Sequence, residues 1–232
     1  MKRLKFILSI LILAFTTSCV RYQYMSLSSN IPKDEKRAFY HENDTFKISY
    51  SFNGENCPIR INVYNKLREP LYVDWQKSTL TIFNDQMSLW DGSDEQTYES
   101  ISKISPGSSI EIQPLYMITK FVDLTPEDTY TKLTMMTHNG ALSMRKYTFD
   151  TLNTPLYFKS KIHYSPTRSG ILSTYAEDQF WISSLIPTYS ILQLDHPDTF
   201  YLQKTTGFST VIGIVAIAGL IILDANLPDE GE

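Results

Sequence analysis

Cysteine is nearly absent from this chain: Cys19 and Cys57 are the two in 232 residues. A small fold stapled by several disulfides is therefore excluded. Histidine is also sparse. His41, His138, His163 and His196 lie far apart, without the H-x-x-x-H or H-E-x-x-H spacing of a zinc site. No G-x-x-x-x-G-K-[ST] phosphate loop and no G-x-S-x-G nucleophile elbow occurs. The segment Asp91-Gly92-Ser93-Asp94-Glu95 lacks the alternating carboxylates and distal Glu of a calcium loop, and reads as a solvated turn. No motif asks for a cofactor or a metal. Excess positive charge is missing as well: 21 Lys and Arg face 25 Asp and Glu, a net charge of −4. A surface that tracks nucleic-acid phosphates needs the opposite balance.

What is present begins at the two ends. Met1-Lys2-Arg3-Leu4-Lys5 is cationic, residues 6–15 are apolar apart from Ser9, and Thr16, Thr17 and Ser18 are small. That succession is a secretory signal peptide, here residues 1–18, and it is short for a membrane span of about 20 apolar residues. Its removal would take three cations and no acid, lowering the net charge to −7. At the other end, residues 207–223, "GFSTVIGIVAIAGLIIL", carry no charge. Seventeen helical residues reach about 25 Å, the short end of what spans a bilayer. Gly213, Ala216 and Gly219 share one face of that helix, which suits close helix packing in lipid. An acidic tail, residues 224–232, follows.

Cys19, directly after the small residues, resembles the acylated cysteine that closes the lipobox of bacterial lipoproteins, in the looser form found in Bacteroides-type bacteria. Ser18 and Thr17 suit that box, while Thr16 stands where Leu is usual. The resemblance implies that Cys19 is lipidated and becomes the first mature residue. Membrane lipid is then a partner, and the protein sits anchored in the cell envelope, at the inner or the outer membrane. With Cys19 acylated, Cys57 has no partner and reads as a small buried apolar residue.

Residues 19–42 are polar and mixed in charge, and read as a lipidated tether. From 43 to 206 strand patterns dominate. "TFKISYSF" puts Phe46, Ile48, Tyr50 and Phe52 on one face, and "PIRINVYN" does the same with Ile59, Ile61 and Val63. "PLYVDW", "STLTIF", "SSIEIQPLYM", "MRKYTF", "LYFKSKIHYS" and "DQFWISSLI" bring the number of strands to about eight. Asn53-Gly54, Pro106-Gly107, Asn139-Gly140 and Ser169-Gly170 supply turns. Thr125-Pro126-Glu127-Asp128 starts a short helix over residues 130–136. The class expected is mainly β: an antiparallel sandwich between a signal-peptide helix and a C-terminal apolar helix.

The block "INVYNKLREPLYVDWQKSTLTI" resembles a segment of Bacteroides-type lipoproteins and, more distantly, immunoglobulin-like sandwiches of the water-stress type. The resemblance implies an immunoglobulin-like fold and leaves activity open. Within it, Asp74 beside Trp75 invites a carbohydrate platform, against the commoner reading of a core Trp at a strand end. Asp150-Thr151-Leu152 resembles the short acceptor for O-glycosylation in exported proteins of those bacteria, with Thr151 as acceptor.

Three functions fit. The first is a lipid-anchored, non-enzymatic module that binds or spaces an envelope protein or glycan. The second is an enzyme acting on envelope glycans or peptides through a loop-built site. The third is a subunit of a membrane complex joined through the Gly213/Ala216/Gly219 face.

Overall fold

The computed structural model describes residues 20–90, 92, 98–113, 117, 120–125, 128–137 and 140–205. The signal peptide, Cys19, the 207–223 segment with Gly213, Ala216 and Gly219, and the acidic tail lie outside the described residues. Two compact units are distinguished: Gln23–Leu202, and residues 1–22 with 203–232. Of the second, the described residues are the outer ends of two strands.

Among the described residues there are fourteen strands and no helix. The smaller sheet runs β2 (Phe39–Glu42), β3 (Phe46–Ser51), β5 (Arg60–Asn65), β9 (Ser109–Ile112), all antiparallel neighbours. Period-two alternation explains its faces. Phe46, Ile48 and Tyr50 are buried on β3, and Ile61 and Val63 on β5, while Tyr64 turns outward.

The larger sheet has ten strands. Its main path is β4 (Gly54–Glu55), β14 (Thr199–Thr205), β1 (Val20–Ser29), β13 (Thr174–Thr188), β12 (Tyr157–Ser165), β6 (Leu71–Ile82) and β7 (Asp85–Ser88). The β4–β14 pairing is parallel. β8 (Ile101–Ile104) pairs with β6, and β11 (Gly140–Thr148) pairs with both β13 and β10 (Tyr130–Thr137).

The two sheets share one apolar core. Phe180 of β13 sits at its centre, 5.0–5.4 Å by ring centroid from Phe39 and Tyr50 of the small sheet, Phe52 just after it, and Phe158 of β12. Burying each such ring contributes about 1.5–3 kcal/mol.

Three sequence expectations are corrected. The stretch read as a tether, residues 19–42, contributes β1 and β2 in its described part. Tyr24, Met25 and Leu27 are buried on β1, and the buried Gln23 exchanges two 2.8 Å hydrogen bonds with the backbone of Val122. Those bonds are why a polar residue sits inside a central strand. The helix expected over 130–136 is strand β10, paired residue for residue with β11 from Tyr130↔Tyr147 to Thr137↔Gly140. Thr131, Thr134 and Thr137 favour that pleated state, and the partner strand decides it. Finally, "PLYVDW" and "STLTIF" are one strand, β6, interrupted by a bulge. Asp74 pairs with His163 and Thr79 with Lys161, so four residues of β6 oppose the single Ile162.

Candidate functional sites

That bulge settles Asp74 and Trp75. Trp75 is fully buried, and its indole Nε1–H donates to Ser102 Oγ at 2.9 Å. A sugar-stacking ring must be exposed, so the carbohydrate platform is overturned. Asp74 closes the bulge instead. Its Oδ1 accepts the Lys77 amide at 3.0 Å, its Oδ2 pairs with Lys77 Nζ at 3.0 Å, and its carbonyl accepts Ser78 Oγ–H at 2.6 Å. Ser78 Oγ in turn accepts the His163 amide, 2.9 Å away, which ties the bulge to β12.

Thr151 lies in an exposed turn. Asp150 Oδ1 accepts the amides of Leu152 and Asn153 at 2.8 and 3.2 Å, and the carboxylate so holds the turn around Thr151. Cys57 is fully buried in the core with φ of 55°, and burial pushes its thiol well above the ordinary range. A thiol so placed is a packing group.

Two buried carboxylates went unread in the sequence, because each is assembled from distant segments. Asp178 of β13 is sealed between the sheets, its side chain 1% exposed. Tyr50 OH donates to its Oδ2 at 2.9 Å, and His41 Nδ1 lies 2.7 Å from its Oδ1. Burial, and then the Asp178 charge, push the Tyr50 phenol well above its usual range. Tyr50 and His41 belong to the small sheet, so the trio is a polar link across the apolar layer. A His–Asp pair can serve a nucleophile, but among the described residues no hydroxyl or thiol hydrogen-bonds His41 Nε2.

Asp198, just before β14, is likewise fully buried. Lys33 Nζ lies 2.5 Å and Arg37 Nη2 2.9 Å from its Oδ2. Burial alone would raise this carboxyl. The hydrogen bonds and charges of Lys33 and Arg37 outweigh that, holding it below the usual carboxylate range.

A third feature is a cleft of about 290 Å³ between β11 and the end of β13. It is lined by Leu142, Ser143, Met144 and Arg145 on one side and by Pro187, Thr188, Tyr189 and Ser190 on the other, with no carboxylate among them. The β11–β13 ladder consists of Tyr147↔Leu185 and Thr148↔Ser184. Continuing that register would set Arg145 opposite Pro187. Proline has no N–H to donate, so the ladder stops and the strands diverge. Arg145 stands at the fork, its Cζ 4.6 Å from the Tyr130 ring centroid.

Among the described residues no group of His, Cys, Asp and Glu has the arrangement of a metal site, and no helix is long and apolar enough to cross a membrane. Compared with protein-family models, with curated proteins and with solved structures, the chain finds no match in any of the three.

Proposed function

We propose that this is a lipid-anchored protein of the bacterial cell envelope whose immunoglobulin-like β-sandwich is a non-enzymatic binding or spacing module. The observation that carries the reading is the pattern of residues 1–19: a cationic start, an apolar run, small residues, then Cys19, one residue ahead of the first strand. Two largely antiparallel sheets meeting through interdigitated rings support the sandwich. In keeping with a binding or spacing module, Asp178 and Asp198 hold segments of the fold together.

Several acyl chains on one residue hold firmly, at about 0.8 kcal/mol per buried methylene. Radiolabelled palmitate is expected to enter the wild-type protein, and Cys19→Ser to abolish this. An unlabelled wild type refutes the anchor. The 207–223 segment adds a membrane or oligomer contact in this reading, and Gly213→Leu is expected to disturb it. Oligomer size and co-purifying partners unchanged in that variant would remove the complex-subunit role. Thr151, exposed and held in a rigid turn, suits glycan attachment, and an intact mass without hexose increments in the native host would dispose of that.

A further inference from the structure

We infer that the fork between β11 and β13 is a docking slot for an extended peptide strand that carries a carboxylate between apolar side chains. This deepens the binding-module reading and rests on it.

The slot follows from the strand pairing. β10 takes one edge of β11 from Gly140 to Tyr147, while on the other edge the ladder ends at Tyr147. In an antiparallel strand, alternate residues aim their N–H and C=O at opposite edges. The stretch from Lys146 back to Ala141 therefore presents main-chain donors and acceptors to the fork. Pro187 keeps β13 from supplying partners. An incoming extended chain supplies them by strand addition.

Side chains at the slot define the occupant. Leu142, Met144, Pro187 and Tyr189 are apolar, and Tyr189 is 69% exposed. Of the methionines on this hairpin, Met144 lines the slot, and a flexible thioether adapts to varied apolar side chains. Charge sets the rest. Residues 130–149 hold Lys132, Arg145 and Lys146 and no carboxylate, in a chain that is acidic overall. Arg145 is preorganised by the Tyr130 ring, against which its guanidinium lies. A carboxylate on the occupant meets it with a charge-assisted bond.

The test uses the full-length chain and three fluorescein-labelled heptapeptides alternating Val with Thr, with Glu or Lys at the centre, the third being the Glu peptide N-methylated at alternate amides. Anisotropy is expected to show saturable binding of the Glu peptide and roughly tenfold weaker binding of the Lys peptide. N-methylation is expected to abolish binding, and Arg145→Glu to reverse the Glu/Lys preference. Arg145 is exposed, so this variant keeps its fold, which near-UV dichroism verifies. The inference is overturned by no saturable binding of any peptide, by undiminished binding of the N-methylated one, or by indifference to Arg145→Glu. A concentration-dependent dimer that the Glu peptide does not displace overturns it in favour of a second copy. Palmitate labelling is read separately, so losing the slot leaves the anchor standing, and losing the anchor leaves the slot.

Discussion

Phe180 and Met136 belong to the same ten-stranded sheet, yet Phe180 touches four aromatic rings while Met136 keeps 81% of its surface in solvent. What separates them is the facing layer. Where the four-stranded sheet lies over β12 and β13, inward rings pack against one another, and among the described residues Ser160 Oγ is the one buried side-chain polar atom without a hydrogen-bond partner. Leu133, Met135, Met136 and Leu142 on the β10–β11 hairpin do not belong to that core. Sheet hydrogen bonding is present in both regions, so it is packing that distinguishes them. Stability resides in the layered part, and the hairpin keeps apolar side chains such as Met136 at the surface.

The largest expected effect tests that division at its centre. Phe180→Ala empties a site bounded by four rings and should lower unfolding free energy by about 3–5 kcal/mol in urea titrations. A loss no greater than that of a surface substitution would erase the contrast. His41→Ala comes next. It leaves the buried Asp178 carboxylate with Tyr50 as its remaining donor, at a cost of about 1–3 kcal/mol in the same titration. The companion Tyr50→Phe should fall in the same range, because it removes the other donor.

How far the sequence carried this division is visible in particular residues. Alternation on β3 and β5 was legible because one face of each meets the core and the other does not. β1 escaped because it is buried on both sides from Tyr22 to Met25, which erases the period-two pattern, and because Gln23 and the serines look like solvated chain. β10 escaped because a Thr-Pro-acid start is a local signal, whereas the strand is chosen by its pairing with β11. At the sites, burial of Cys57 was readable because an unpaired cysteine ahead of an alternating strand packs as a small apolar group. The Asp178 and Asp198 clusters join residues 128 to 165 positions apart, and nothing local marks them. The bulge made Asp74 and Trp75 look like a site, since the residues that close a bulge and those that hold a ligand are of the same types.

A smaller effect, confined to acid, concerns the buried Asp198. The Asp198 carboxyl titrates below its unfolded value of about 3.9. Its contribution to stability is therefore full above that value and lost as pH falls through the lowered folded one. Asp198→Asn should be less stable than wild type at neutral pH. The gap should close progressively below about pH 4, read as urea midpoints over a pH series. A gap that stays constant into acid would mean that Lys33 and Arg37 do not hold a charge there.

The smallest expected effect concerns the hairpin. Leu133 is half-buried on β10 and packs outside the core, so Leu133→Ser should cost less than about 1 kcal/mol of global stability. Hydrogen exchange sharpens the prediction. In wild type, amides of 131–136 should exchange through local opening, faster than those of 176–182 on β13, which open only with the whole fold. Leu133→Ser should quicken the first set and leave the second unchanged. If the hairpin instead exchanges as slowly as β13 and the variant lowers both together, hairpin and core form one cooperative unit. Exposure at Met136 would then be a local feature of one side chain, and the division between a packed body and a contact arm would not hold.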